Sequence, residues 1–136
     1  MQPKLLVIDD DGDTRDVLRA TLTQRGFEVA CATTGADALD QLERNAFDAV
    51  ISDLNMPGMS GLDLCRRMER SWPDMPLVLV TGFRSAAMTL TALRAGACDV
   101  ISKPIQIDGL LRTLARALEH RPLEDQEVPS RSTRSA

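Results

Sequence analysis

Five short apolar runs alternate with amphipathic stretches, and four of them stop at a residue with chemistry to offer. The first, Leu5-Leu-Val-Ile8, runs into Asp9-Asp10-Asp11. The second covers Phe27 to Ala32. The third, Phe47-Asp-Ala-Val-Ile-Ser52, delivers Asp53. The fourth, Met75-Pro-Leu-Val-Leu-Val80, stops at Thr81-Gly82, and the fifth, Cys98 to Ser102, precedes Lys103-Pro104. Short apolar runs bounded by turn residues read as buried strands. Between them the spacing predicts helices. One carries Val17, Leu18 and Leu22 on its inner face and closes at Gly26. The next opens at Thr34-Gly-Ala-Asp37, which has the form of a capping box, and carries Ala38, Leu39 and Leu42. A third runs from Leu62 to Trp72 and ends at Pro73, and a fourth spans 85–95 and closes at Gly96. The last covers Ile107 to His120 with Leu110, Leu111, Leu114 and Leu118 inward.

Continuously apolar strands alternating with helices imply an α/β fold, a doubly wound parallel sheet of five strands covered on both faces. Right-handed crossovers then bring every strand's carboxyl end to one edge. At that edge the sequence gathers Asp9, Asp10, Asp11, Asp53, Thr81 and Lys103. Crowded carboxylates repel one another unless a cation sits among them, and hard oxygen donors favour Mg²⁺. A lysine is a point charge suited to a phosphoryl oxygen, and Thr81 can donate to another. The set meets the needs of phosphoryl transfer to a carboxylate.

Composition removes other classes. The chain has 136 residues and a net charge of −4, which argues against a nucleic-acid surface. Aromatic residues make up 3%, with no tyrosine, so a base-stacking platform is not expected. Cys31, Cys65 and Cys98 are scattered and read as small buried hydrophobes. His120 is the single histidine, which leaves no paired-histidine mechanism. No apolar run approaches the roughly 18–20 residues of a membrane span. The start, Met1-Gln-Pro-Lys4, lacks the pattern of a signal peptide, so a cytoplasmic protein is expected. Residues 1–121 read as one domain and 122–136 as a polar, mobile tail.

The segments Val7-Ile-Asp-Asp-Asp11, Val50-Ile-Ser-Asp-Leu-Asn-Met-Pro-Gly-Met-Ser-Gly61, Val80-Thr-Gly82, Ala95-Gly-Ala97 and Lys103-Pro104 together resemble the receiver domain of two-component response regulators. The resemblance implies a flavodoxin-like (βα)5 fold with strand order 2-1-3-4-5. It makes Asp53 the phosphoacceptor, charged from the phosphohistidine of a sensor histidine kinase or a histidine phosphotransfer protein. It implies Mg²⁺ on Asp10, Asp53 and the Asn55 carbonyl, with Asp9 acting through a water. Thr81 and Lys103 would contact the phosphoryl group and switch a downstream output protein or domain. The domain would catalyse its own phosphorylation and slow dephosphorylation, with Asn55 and Phe83 flanking the site. Residues 79–104 and 108–119 further resemble the receivers of nitrogen-regulation-type activators.

One position departs from the family pattern. Many receivers carry a mobile aromatic three residues before the lysine, where this chain has Val100. A stiff β-branched side chain cannot swing as a ring does, which predicts a muted or rerouted signal on the face of the fourth helix and fifth strand. Phe83 either shields the acyl phosphate or packs on its loop. Asp13 is expected to cap the first helix, with Asp11 exposed and dispensable. No output sequence follows residue 121, so no direct nucleic-acid binding is expected, nor any membrane contact; a homodimer is possible. Two rivals stand beside this reading. One is a haloacid-dehalogenase-type phosphatase with Asp9 as nucleophile and Asp11 as acid/base. The other is a receiver-like module that takes no phosphate.

Overall fold

The computed structural model describes residues 2–119. Five strands and five helices alternate: β1 (Lys4–Ile8), α1 (Gly12–Gln24), β2 (Glu28–Ala32), α2 (Gly35–Arg44), β3 (Ala49–Asp53), α3 (Gly61–Ser71), β4 (Leu77–Thr81), α4 (Ala86–Arg94), β5 (Asp99–Ser102) and α5 (Ile107–Glu119). The strands form one parallel sheet in the order β2-β1-β3-β4-β5. The alternation predicts the parallel sheet, and its order is the one that the resemblance implies. The order reverses between β1 and β3, and open sheets of this kind place their ligands in the crevice above such a reversal.

Strand periodicity sorts the core into two layers. Leu6, Ile8, Val50, Leu77 and Leu79 face α2 and α3 and meet Ala38, Leu42, Leu64 and Met68. Leu5, Val7, Ala49, Ile51 and Val80 face the other way and meet Leu18 and Leu22 of α1 and Leu110 and Leu114 of α5. Because β3 and β4 are buried on both faces, their sequences are apolar without alternation. Each fully buried leucine stabilises the fold by roughly 1.5–3 kcal/mol relative to exposure.

Caps set the helix starts. Thr34, Ser60 and Ser85 each accept a backbone N–H from three residues on, and Ser60 with Asp63 closes a reciprocal capping box. At Thr34 the Asp37 carboxylate turns to Gln41 instead. After α4 the chain reverses through Gly96 at φ +112°, a conformation that an L side chain rarely adopts.

Four expectations are corrected. Val17 is 64% exposed, because it sits one residue, or about 100°, off the Leu18–Leu22 stripe that faces the sheet. Cys98 is exposed, since it precedes an edge strand at the rim beyond the helix cover, whereas Cys65 is buried and Cys31 is half-buried. The N-cap of α1 is Asp11 and not Asp13: its carboxylate accepts the Thr14 amide at 3.1 Å and the Thr14 hydroxyl. Asp11 is exposed as expected, but this capping role means it is not dispensable. The expected tail at 122–136 and His120 lie outside the described residues. Among the described residues no helix is long and apolar enough to cross a membrane.

Candidate functional site

The ends of β1, β3, β4 and β5 supply the groups at the crevice, held there by the register of the strands. Asp9 follows β1 and is buried, and Asp10 beside it is exposed. Asp53 is the last residue of β3, paired with Val80, and is buried. Thr81 ends β4 and is buried, and Lys103 follows β5, its backbone N–H donating to the Thr81 carbonyl at 2.8 Å. One carboxylate oxygen from each of Asp9, Asp10 and Asp53 lies within 4.8 Å of the other two. The Lys103 ammonium reaches Asp53 Oδ2 at 3.3 Å and Asp9 Oδ2 at 3.4 Å. Asp53 Oδ1 accepts the Asn55 amide at 3.3 Å.

The electrostatics are unbalanced. Two carboxylates at this spacing repel by roughly 3 kcal/mol at an effective dielectric of 20, an upper bound where one of them is exposed. Lys103 offers one positive charge against three negative ones. Burial, followed by the Asp9 charge, pushes the Asp53 carboxyl above its ordinary range, and Lys103 and the Asn55 amide offset only part of that. Burial also pulls on Lys103, but Asp53 and Asp9 together outweigh it and raise its pKa. A site of crowded oxygen donors, two of them from buried residues, with a residual negative charge fits a divalent cation.

Asp9 is secured at every polar atom. Its N–H donates to Ala32 O at 3.2 Å, its carbonyl accepts Arg15 Nη1 at 2.8 Å, and Oδ1 accepts the Asp11 amide at 2.9 Å. The Asp53 loop depends on a close approach. A Cβ on Gly61 would lie 2.4 Å from the Asp53 carbonyl oxygen and 2.8 Å from Leu54 Cα, so α3 can start here only on glycine. In the sequence Gly61 reads only as a turn residue, and Arg15 belongs to no motif. A basic residue one turn past the acids was the available signal.

The remaining residues are placed as follows. The Thr81 hydroxyl donates to the Phe83 carbonyl and accepts the Phe83 amide, both at 3.2 Å, so it is engaged with its own loop. The Phe83 side chain is 79% exposed, so it neither covers the acids nor packs on the loop in this conformation. Asn55 is exposed. Val100 is buried in the core layer beneath α4. The phosphatase reading fails on Asp11: its carboxylate caps α1, and its hydrogen bonds to Thr14 lower its pKa, the reverse of what a general acid needs.

The fold and this edge define a doubly wound α/β domain with an acidic crevice and one lysine. The profile of the response regulator receiver domain matches residues 5–115, and the chain belongs to that family. C4-dicarboxylate transport transcriptional regulatory protein DctD of Rhizobium meliloti (strain 1021) is 40% identical over 121 residues, covering 89% of this chain and 26% of that protein. Response regulator MprA of Mycobacterium ulcerans (strain Agy99) is 34% identical over 128 residues, covering 94% of this chain and 55% of that one. The crystal structure of a CheY-like receiver domain protein from Methanospirillum hungatei JF-1 superposes with a TM-score of 0.84 at 28% identity, over 94% of this chain and 100% of that one. That of NtrX from Brucella abortus in complex with ADP gives 0.84 at 31% identity, over 93% and 29%. The chain thus spans only part of the curated relatives it matches. It is a receiver domain of the two-component type, and receivers are phosphoacceptors.

Proposed function

We propose that Asp53 is the phosphoacceptor and that a histidine kinase or a histidine phosphotransfer protein supplies the phosphoryl group. The observation that carries this is the convergence of the acids and a lysine: Asp53 ends a central strand with the Lys103 ammonium 3.3 Å away and the Asp9 and Asp10 oxygens within 4.8 Å. An Asp53 oxygen attacks phosphorus, the P–N bond to the donor imidazole breaks, and the imidazole leaves with the electron pair and is then protonated. Asp10, Asp53 and the Asn55 carbonyl would hold Mg²⁺, with Asp9 acting through a water. Bound there, the ion supplies charge neutralisation for the transferring group.

The chain's own residues do the rest. Lys103 offsets charge on the phosphoryl oxygens, and the Asn55 amide holds Asp53 Oδ1 while Lys103 meets Oδ2. New charge on Asp53 attracts Lys103 and gives Thr81 a reason to leave Phe83, and that exchange of partners is the switch read by an output protein or domain. Self-dephosphorylation by water belongs to the same proposal, since the flanking Asn55 and Phe83 are both exposed and leave water access to the acyl phosphate. The setting proposed is cytoplasmic.

The test is intact mass after incubation with Mg²⁺ and acetyl phosphate, on the wild type and on Asp53→Asn. One added phosphoryl group in the wild type alone is expected. A wild type that binds Mg²⁺ but gains no mass, from acetyl phosphate or from a phosphorylated histidine donor, leaves a module that takes no phosphate.

A further inference from the structure

Asp10 is the least supported member of the acid cluster. It is exposed, and among the described residues its carboxylate has no hydrogen-bond or ion-pair partner. The direction of its Cα–Cβ bond, and with it the space its carboxylate can reach, is set by the two peptide units on either side of its Cα. The following unit is held at the Asp11 amide, which donates to Asp9 Oδ1 at 2.9 Å. The preceding unit is held at the Asp9 carbonyl, which accepts Arg15 Nη1 at 2.8 Å. Arg15 is half-buried in the first turn of α1 and folds back over Gly12, whose Cβ position would be 3.5 Å from Nη2. The turn thus seats the guanidinium at the carbonyl of the peptide unit that precedes Asp10.

We propose that Arg15 is a positioning residue for the cation site: it clamps the Asp9–Asp10 peptide so that the Asp10 carboxylate faces Asp53. This rests on the reading of the acid cluster as a Mg²⁺ site. It makes a prediction opposite in sign to simple electrostatics. A cation beside a divalent site lowers affinity, so deleting the Arg15 charge would by itself tighten Mg²⁺ binding. Loss of a group that orients a ligand weakens metal binding, typically by 10–100-fold. The clamp also predicts that Arg15 acts through Asp10, so the two positions couple.

The experiment titrates the full chain with Mg²⁺ and follows backbone amide shifts at Asp10 and Asp53. It uses wild type, Arg15→Gln, Arg15→Lys, Asp10→Asn and the Arg15→Gln/Asp10→Asn pair, with thermal melts confirming that each is folded. Arg15→Gln is expected to bind about tenfold more weakly, with Arg15→Lys in between because its shorter reach keeps the charge but not the planar fork. The double variant is expected to bind no more weakly than Asp10→Asn alone. Unchanged or tighter binding in Arg15→Gln, or additive losses in the double variant, would overturn the clamp and leave the Mg²⁺ site standing. A wild type that takes up no Mg²⁺ overturns the site reading, and the clamp with it.

Discussion

Lys103 Nζ lies 3.3 Å from Asp53 Oδ2 and 3.4 Å from Asp9 Oδ2, across sequence separations of 50 and 94 residues. The lysine occupies oxygens that a divalent cation would also use, so the two cations compete. Replacing Lys103 by Met is expected to tighten Mg²⁺ binding severalfold, a change on the order of 1 kcal/mol for one charge at this range. A Mg²⁺ titration of wild type and Lys103→Met decides it. Weaker binding in the variant would show that the lysine organises the acids and does not compete for them.

Asp53 titrates above its ordinary value of 3.8, chiefly through burial and then through Asp9. A carboxyl raised on folding is held better protonated, so its ionised form destabilises the fold. The penalty is absent below the unfolded value and grows as pH rises through the folded one. Asp53→Asn is therefore expected to melt a few degrees higher than wild type at pH 7 without divalent ions. The gap should close towards pH 4. An Asn variant that melts lower at pH 7 contradicts this balance.

Asp11 caps α1 and Asp13 does not. Asp11→Ala should lower the midpoint of urea unfolding, and Asp13→Ala should leave it nearly unchanged. Equal losses at both positions would rule out a specific cap.

Gly61 has no room for a methyl group: the nearest obstacle is the backbone of Asp53 itself. Gly61→Ala is expected to destabilise by about 1–3 kcal/mol and to slow phosphorylation of Asp53. Gly12→Ala, whose Cβ would make ordinary contact with Arg15, should be close to neutral. The pair is read by thermal melts and by the rate of mass gain with acetyl phosphate. Comparable effects at both glycines would sink the steric account.

Val100 is buried beneath α4, where many receivers place a mobile ring. With beryllofluoride as phosphoryl mimic, amide shifts along α4 and β5 are expected to be smaller than those in the loop after Asp53. Shifts of equal breadth on both would mean that another residue carries the signal to that face.

The sheet was legible because burial on both sides leaves a mark in sequence: β3 and β4 are apolar without alternation, and parallel pairing requires the helices between them. The acids and the lysine were legible for a related reason. Parallel strands with right-handed crossovers send every carboxyl end to one edge, so the residue after each run must gather there. Val17 is apolar like Leu18 and Leu22, but the helical period that turns those two inward places their neighbour outside the stripe.

Which residues stand at that edge was thus decided by the sequence alone, through strand length and chain order. How they are held was decided only by the tertiary structure. That Lys103 bridges Asp9 and Asp53, that Thr81 is engaged with Phe83, and that Arg15 reaches the Asp9 carbonyl depend on distances of a few ångströms. Hydrogen bonds and desolvation act over that range, and no one-dimensional pattern records it.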